Sequence, residues 1–102
     1  MPPNVRQLEA KDAINQALAL FQRRWMLRVL WELRERALNF RALQSVCGDI
    51  SPTVLNQRLA ELREASLVEA GDDGYALTPL GRALIVAFEP LSRWALRWRR
   101  SL

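Results

Sequence analysis

The chain has 102 residues, enough for one domain with a single modest core. Half of the residues are hydrophobic and a quarter are charged, and the net charge of +4 is carried almost wholly by arginine, since Lys11 is the only lysine; this balance admits a nucleic-acid partner without requiring one. There is no histidine and there is one cysteine, which excludes histidine-based catalysis, an internal disulfide and a thiolate zinc site.

The first helix is expected over about Glu9 to Leu20, where Ala10, Ile14, Ala17, Leu18 and Phe21 recur at the helical period. The polar "QRR" at Gln22–Arg24 interrupts the pattern and predicts a bend. A second helix follows from about Arg24 to Glu35. Met26, Val29, Leu30 and Leu33 form one stripe on it, and Leu27 with Trp31 form another. A helix with two apolar faces touches two things: its own core and a partner subunit, or two elements of the same small domain. "RALNF" breaks the period, with Ala37 to Asn39 able to form a very short strand. A short third helix runs from Phe40 to Val46, with Phe40, Leu43 and Val46 inward. "CGDI" is a turn.

The stretch "SPTVLNQRLAEL" opens the next helix, Ser51 to about Ala65, with Ser51 as cap and Pro52 in the first turn. Val54, Leu55, Leu59 and Leu62 face the core. Thr53, Gln57, Ala60 and Glu64 lie opposite, with Asn56 and Arg63 on one shoulder and Arg58 near the other margin. In "LVEAGDDGYALT" glycines bracket two aspartates between short apolar runs, a hairpin signal. A loop at Asp72–Asp73 sets Val68 opposite Leu77 and Ala70 opposite Tyr75, all on one face. The last helix starts at Thr78 as cap and Pro79 as first residue. Leu80, Leu84, Ala87, Leu91, Trp94 and Trp98 repeat in steps of four and three, a coiled-coil-like seam. Pro90 is expected to kink this helix or split it in two.

Two helices, a short helix, a turn, a longer helix, a hairpin and a final helix is the order of a winged helix-turn-helix: mainly α, with a small β-hairpin wing, in a single domain over 1–102. In that motif the N-terminal end of one helix enters the major groove. Asn and Gln can pair with adenine and Thr can touch a thymine methyl. The N–H groups freed at Ser51–Thr53 can hold a phosphate. Ser51, Thr53, Asn56, Gln57 and Arg58 are therefore candidates for contact with double-stranded DNA, with Arg24 and Arg41 as candidates for its backbone.

The residues "ALALFQRRWMLRVLWEL", "NFRALQSVCGDISPTVLNQRLAELREASLVE" and "YALTPLGRAL" resemble the HxlR-type winged helix-turn-helix transcriptional regulators over about Ala13 to Trp98. The resemblance implies a DNA-binding homodimer acting on transcription, a recognition helix at about 51–65, a wing at about 67–78, and a C-terminal dimerisation helix at about 79–99. It also implies that the first and last helices build the dimer, in keeping with Leu27 and Trp31 on the second helix and with Leu84, Leu91, Trp94 and Trp98 on the seam. Three features depart from the family. The wing is short and tipped by Asp72–Asp73, which phosphates repel. "QRRW" at Gln22–Trp25 stands where "GGKW" is frequent, placing two positive charges beside a phosphate or a neighbouring carboxylate. Asn4 and Val5 occupy the region where many members carry a sensing cysteine. Cys47 lies elsewhere and reads as a buried, inert thiol rather than a sensor.

Carboxylates at helical spacing, Glu32 with Glu35 and Glu61 with Glu64, sit beside arginines and read as ion-paired surface. No Gly-rich phosphate loop is present. The expectation is no enzyme, no cofactor and no metal. No apolar run approaches the roughly 18 residues of a membrane span, and "MPPNVRQLEA" has no signal core, so a cytoplasmic location without a membrane partner is expected. Trp25, Trp31, Trp94 and Trp98 are either core and dimer anchors or the walls of an effector pocket at the dimer interface. The leading function is a dimeric, sequence-specific repressor. The alternatives are a winged-helix protein-interaction module without tight DNA binding and, more remotely, a small-molecule carrier.

Overall fold

The computed structural model describes residues 4–102. Its first helix, α1 (Val5–Phe21), begins a full turn before the apolar period does. Asn4 and Gln7 form a reciprocal capping box: the Gln7 N–H donates to Asn4 Oδ1 at 2.8 Å and the Asn4 N–H to Gln7 Oε1 at 2.9 Å. No residue of α1 is buried. Ile14 and Leu18 of its apolar period are about half exposed, and so is Leu8 ahead of that period.

The second helix, α2 (Met26–Glu32), is shorter at both ends than the expected span of about Arg24 to Glu35. Its start is delayed by a corner at Gln22–Trp25, in which Trp25 takes a left-handed φ of 75°. Its end comes where Leu33 leaves helical geometry. Met26, Val29, Leu30 and Leu33 are buried. The expected strand at Ala37–Asn39 is reduced to one bridge. Leu38 exchanges both backbone bonds with Tyr75, at 2.9 and 2.8 Å. Asn39 then caps α3 (Phe40–Cys47) through the Ala42 N–H. Here Leu43 and Cys47 are the buried pair and Val46, expected inward, is 39 % exposed. The inward stripe thus steps by four, from Leu43 to Cys47.

After Gly48, in the left-handed region at φ 91°, the chain turns into α4 (Pro52–Glu64), capped by Ser51. Leu55, Leu59 and Leu62 are essentially inaccessible, each contributing about 1.5–3 kcal/mol of burial. The helix ends in a Schellman turn: the Leu67 N–H reaches the Leu62 carbonyl and the Ser66 N–H the Arg63 carbonyl, with Ser66 left-handed at φ 64°. Strands β1 (Val68–Gly71) and β2 (Gly74–Leu77) pair in the expected register, Val68 opposite Leu77 and Ala70 opposite Tyr75. Val68 and Leu77 are buried, but Ala70 is exposed because the hairpin projects beyond the core.

Thr78 caps α5 (Pro79–Arg100). Of the two outcomes expected at Pro90, a kink or a split, the split does not occur: the helix is continuous on both sides of it. Proline removes one N–H donor to the carbonyl four residues earlier. That residue, Val86, is 61 % exposed, so water can serve the orphaned carbonyl. The core is closed by α2, α3, α4, the hairpin and the start of α5, with Leu20 and Leu84 packed at its edge. The residues of α5 from Glu89 onward are exposed.

Candidate nucleic-acid interface

Helix α4 is anchored by its leucines and presents the opposite side to solvent. Thr53, Asn56 and Gln57 are all exposed there, with Ala60 continuing the same side. The Ser51 hydroxyl accepts the Val54 N–H at 3.1 Å. Thr53, in the first turn, has no intrahelical acceptor for its own N–H. The first turn carries no acidic residue, so nothing offsets the partial positive charge of this helix end. Arg41, on α3, is exposed. Arg24, in the corner, is exposed as well and lies 5.6 Å from the centre of the Trp25 ring.

Arg58 corrects the sequence reading. It is 9 % exposed rather than directed at a groove. Its Nε donates to the Arg24 carbonyl at 2.9 Å, and its Nη1 donates to both carboxylate oxygens of Glu61 at 2.7 and 2.8 Å. Glu61 also forms an ion pair with Arg23, Nε to Oε2 at 2.8 Å. Arg23 thus meets a neighbouring carboxylate, one of the two roles open to the charges of "QRRW". The sequence held a signal for the Arg58–Glu61 pair in its three-residue helical spacing. It held none for the Arg24 carbonyl, 34 residues away.

The wing tip, Asp72–Asp73, is exposed. Cys47 is buried, and burial first, then the negative charge of Glu32, pushes its thiol above the usual range against the weaker opposing pull of Arg28. Among the described residues no group of His, Cys, Asp or Glu is arranged to hold a metal ion, and no helix is long and apolar enough to cross a membrane.

A second surface, built by α2 and α5, is apolar. Leu91, Trp94 and Trp98 of α5 are each about half exposed, and Leu27 is 38 % exposed. Trp31 and Leu84 are half-buried. Trp94 and Trp98 stack on each other at 5.9 Å, with planes 7° apart. An open groove of about 380 Å³ runs between α2 and α5, bordered by Leu27, Leu30, Trp31, Phe88 and Leu91, with Arg28 at its edge. Trp31 lines this groove, whereas Trp25 lines a different one, beside Cys47.

The family model for the HxlR-like helix-turn-helix matches residues 20–101, from the end of α1 to the end of α5. The chain belongs to this family. As an HxlR-like protein it is a transcription regulator of the DNA-binding helix-turn-helix class. It is 25 % identical over 101 residues to the HTH-type transcriptional regulator YvaP of Bacillus subtilis, covering 92 % of this chain and 94 % of that one. Its fold is similar to that of the quinone-bound YodB of B. subtilis, with a TM-score of 0.80, 28 % identity, and coverage of 84 % of this chain and 98 % of the other. It is also similar to a possible HxlR family transcriptional factor from Thermoplasma volcanium, with a TM-score of 0.70, 27 % identity and 81 % of each chain covered.

Proposed function

We propose that this HxlR-like chain is a single winged helix-turn-helix domain that works as a homodimeric, sequence-specific repressor in the cytoplasm. The two α4 helices enter successive major grooves of a promoter and occlude it. The observation that carries this reading is the exposed row Thr53, Asn56 and Gln57 on an α4 whose other side is locked into the core. Short amides and a hydroxyl at a free helix start suit adenine and thymine edges. Ser51, Arg41 and Arg24 serve the backbone. The dimer forms through Leu27, Trp31, Leu84, Leu91, Trp94 and Trp98, which supply an apolar face larger than scattered single side chains. The related YodB has been solved with quinone bound. The groove between α2 and α5 offers this chain a place for a small apolar effector, at the same interface.

Selection of bound duplexes from a random-sequence pool tests the reading. A repressor of this kind enriches an approximate two-fold repeat, with half-sites about one helical turn apart or a multiple of it. A second reading, a protein-interaction module without tight DNA binding, draws on the exposed acidic wing tip. It gains ground if the pool yields no enriched sequence.

A further inference from the structure

Two ties join the corner at Gln22–Trp25 to the middle of α4. One is a backbone tie, the Arg24 carbonyl accepting from buried Arg58. The other is ionic, Arg23 on Glu61, the carboxylate that also holds Arg58. Glu61 is thus shared between a guanidinium of its own helix and one from the corner. Helix α1 leads directly into that corner and buries none of its own residues. Its direction is therefore not set by core packing along its length. It is set at its last turn, where Leu20 touches the core, Phe21 meets Phe88 edge-on at 5.5 Å, and the corner grips α4.

We propose that Arg23, acting through Glu61, is a positioning residue that fixes the angle between α1 and α4 and thereby the spacing of the half-sites this dimer accepts. The inference rests on the reading of α4 as the groove-reading helix and on the expectation, from the family resemblance, that α1 joins α5 in the dimer contact, for which α1 offers half-exposed Leu8, Ile14 and Leu18. In such a dimer α1 belongs to the two-fold axis and α4 to the DNA. The corner is the joint between them, and a tighter joint tolerates fewer spacings. Arg58 is the stiffer member, but it is itself buried, and its removal empties that place and leaves the part-buried Arg24 carbonyl and the Glu61 carboxylate each short of a partner, which threatens folding. Arg23 is half exposed, so it can be changed with the fold intact.

The test uses duplexes selected by the wild-type protein, re-made with the distance between half-sites lengthened or shortened one base pair at a time, together with a duplex holding one half-site. Wild type, Arg23→Ala, Arg23→Lys and Gln57→Ala are compared for affinity across the series. The expected result is that Arg23→Ala keeps the wild-type affinity for the single half-site while its preference for the best spacing over its neighbours falls about two- to fivefold, the range open to one half-exposed ion pair. Arg23→Lys should restore most of that preference. An unchanged spacing profile in Arg23→Ala overturns the proposal. So does an equal loss at every spacing and on the half-site, which makes Arg23 a phosphate contact. Gln57→Ala separates the two levels. If it loses affinity while Arg23→Ala leaves the profile intact, groove reading stands and the positioning role falls. If it matches wild type on the selected duplex, the groove reading falls and this proposal with it.

Discussion

The Thr78 hydroxyl donates to the Ser66 carbonyl at 2.7 Å and accepts the Gly81 N–H at 3.0 Å. One oxygen therefore joins the end of α4 to the start of α5 across the hairpin. Thr78→Ala should lower stability by about 1 kcal/mol, chiefly through the lost cap, since the exposed Ser66 carbonyl can turn to water, and Thr78→Ser should recover most of it. At the other end of the bond, Ser66 holds a left-handed φ of 64°. Ser66→Gly removes that steric cost at the price of a more flexible unfolded chain. A net gain of about 0.5–1 kcal/mol is expected. Urea unfolding of the three variants checks both, and a destabilised Ser66→Gly would contradict the account of this turn.

Base reading and backbone contact should separate by mutation. Gln57→Ala should cost about 1–3 kcal/mol on the selected site and little on random DNA. Arg24→Ala and Arg41→Ala should weaken all sequences alike and flatten the salt dependence of binding. Replacing Asp72 and Asp73 together by lysine should tighten binding to every sequence if the wing tip approaches phosphate. Fluorescence anisotropy over a salt series distinguishes these outcomes. Equal, sequence-blind binding by wild type and Gln57→Ala favours the interaction module.

The apolar terminal helices should make a dimer. Aspartate at both Leu91 and Trp94 places charge in the contact, where an unpaired carboxylate is costly. The double variant should sediment as a monomer or as unfolded chain. Wild type remaining monomeric at micromolar concentration is the result that argues against the interface.

The Cys47 thiol is held above its ordinary range by burial and by Glu32. A thiol whose folded pKa is raised contributes stability that is intact below its unfolded pKa and is lost as pH rises through the folded one. Cys47 should therefore favour the fold at neutral pH and become a liability in alkaline solution, where its thiolate is better solvated in the unfolded chain. Alkylation by iodoacetamide at neutral pH should be slow until urea opens the chain. DNA binding should be the same in peroxide-treated, reduced and Cys47→Ser protein. Rapid labelling of the native protein would mean the thiol is reachable.

Helix α4, the hairpin register and both proline-marked helix starts were readable because each is written in local chemistry. Ser51–Pro52 and Thr78–Pro79 are caps followed by first-turn prolines, and glycines bracketing Asp72–Asp73 leave one register that keeps Val68 and Leu77 together. The family resemblance rested on the same block. What escaped was set by distant or competing contacts. The capping box at Asn4 extended α1 beyond its apolar period. The left-handed Trp25 shortened α2. Arg58 looked like any arginine on a helix margin until the Arg24 carbonyl arrived beside it. Pro90 left a kink and a split both open, and the helix runs on through it where its surroundings are exposed.

The single bridge between Leu38 and Tyr75 has a bearing on how the protein survives at high concentration. A two-stranded hairpin leaves open edges that can template growth with other chains. Here β2 has β1 on one side and Leu38 on the other, and the approach is so close that a Cβ on Gly74 would lie 2.5 Å from the Leu38 carbonyl oxygen. That edge has no room for an added strand. The remaining edge, β1, is four residues long and carries exposed Glu69. Short length and a charge are deterrents to sheet extension, so the hairpin stays a wing and does not become the seed of a fibre.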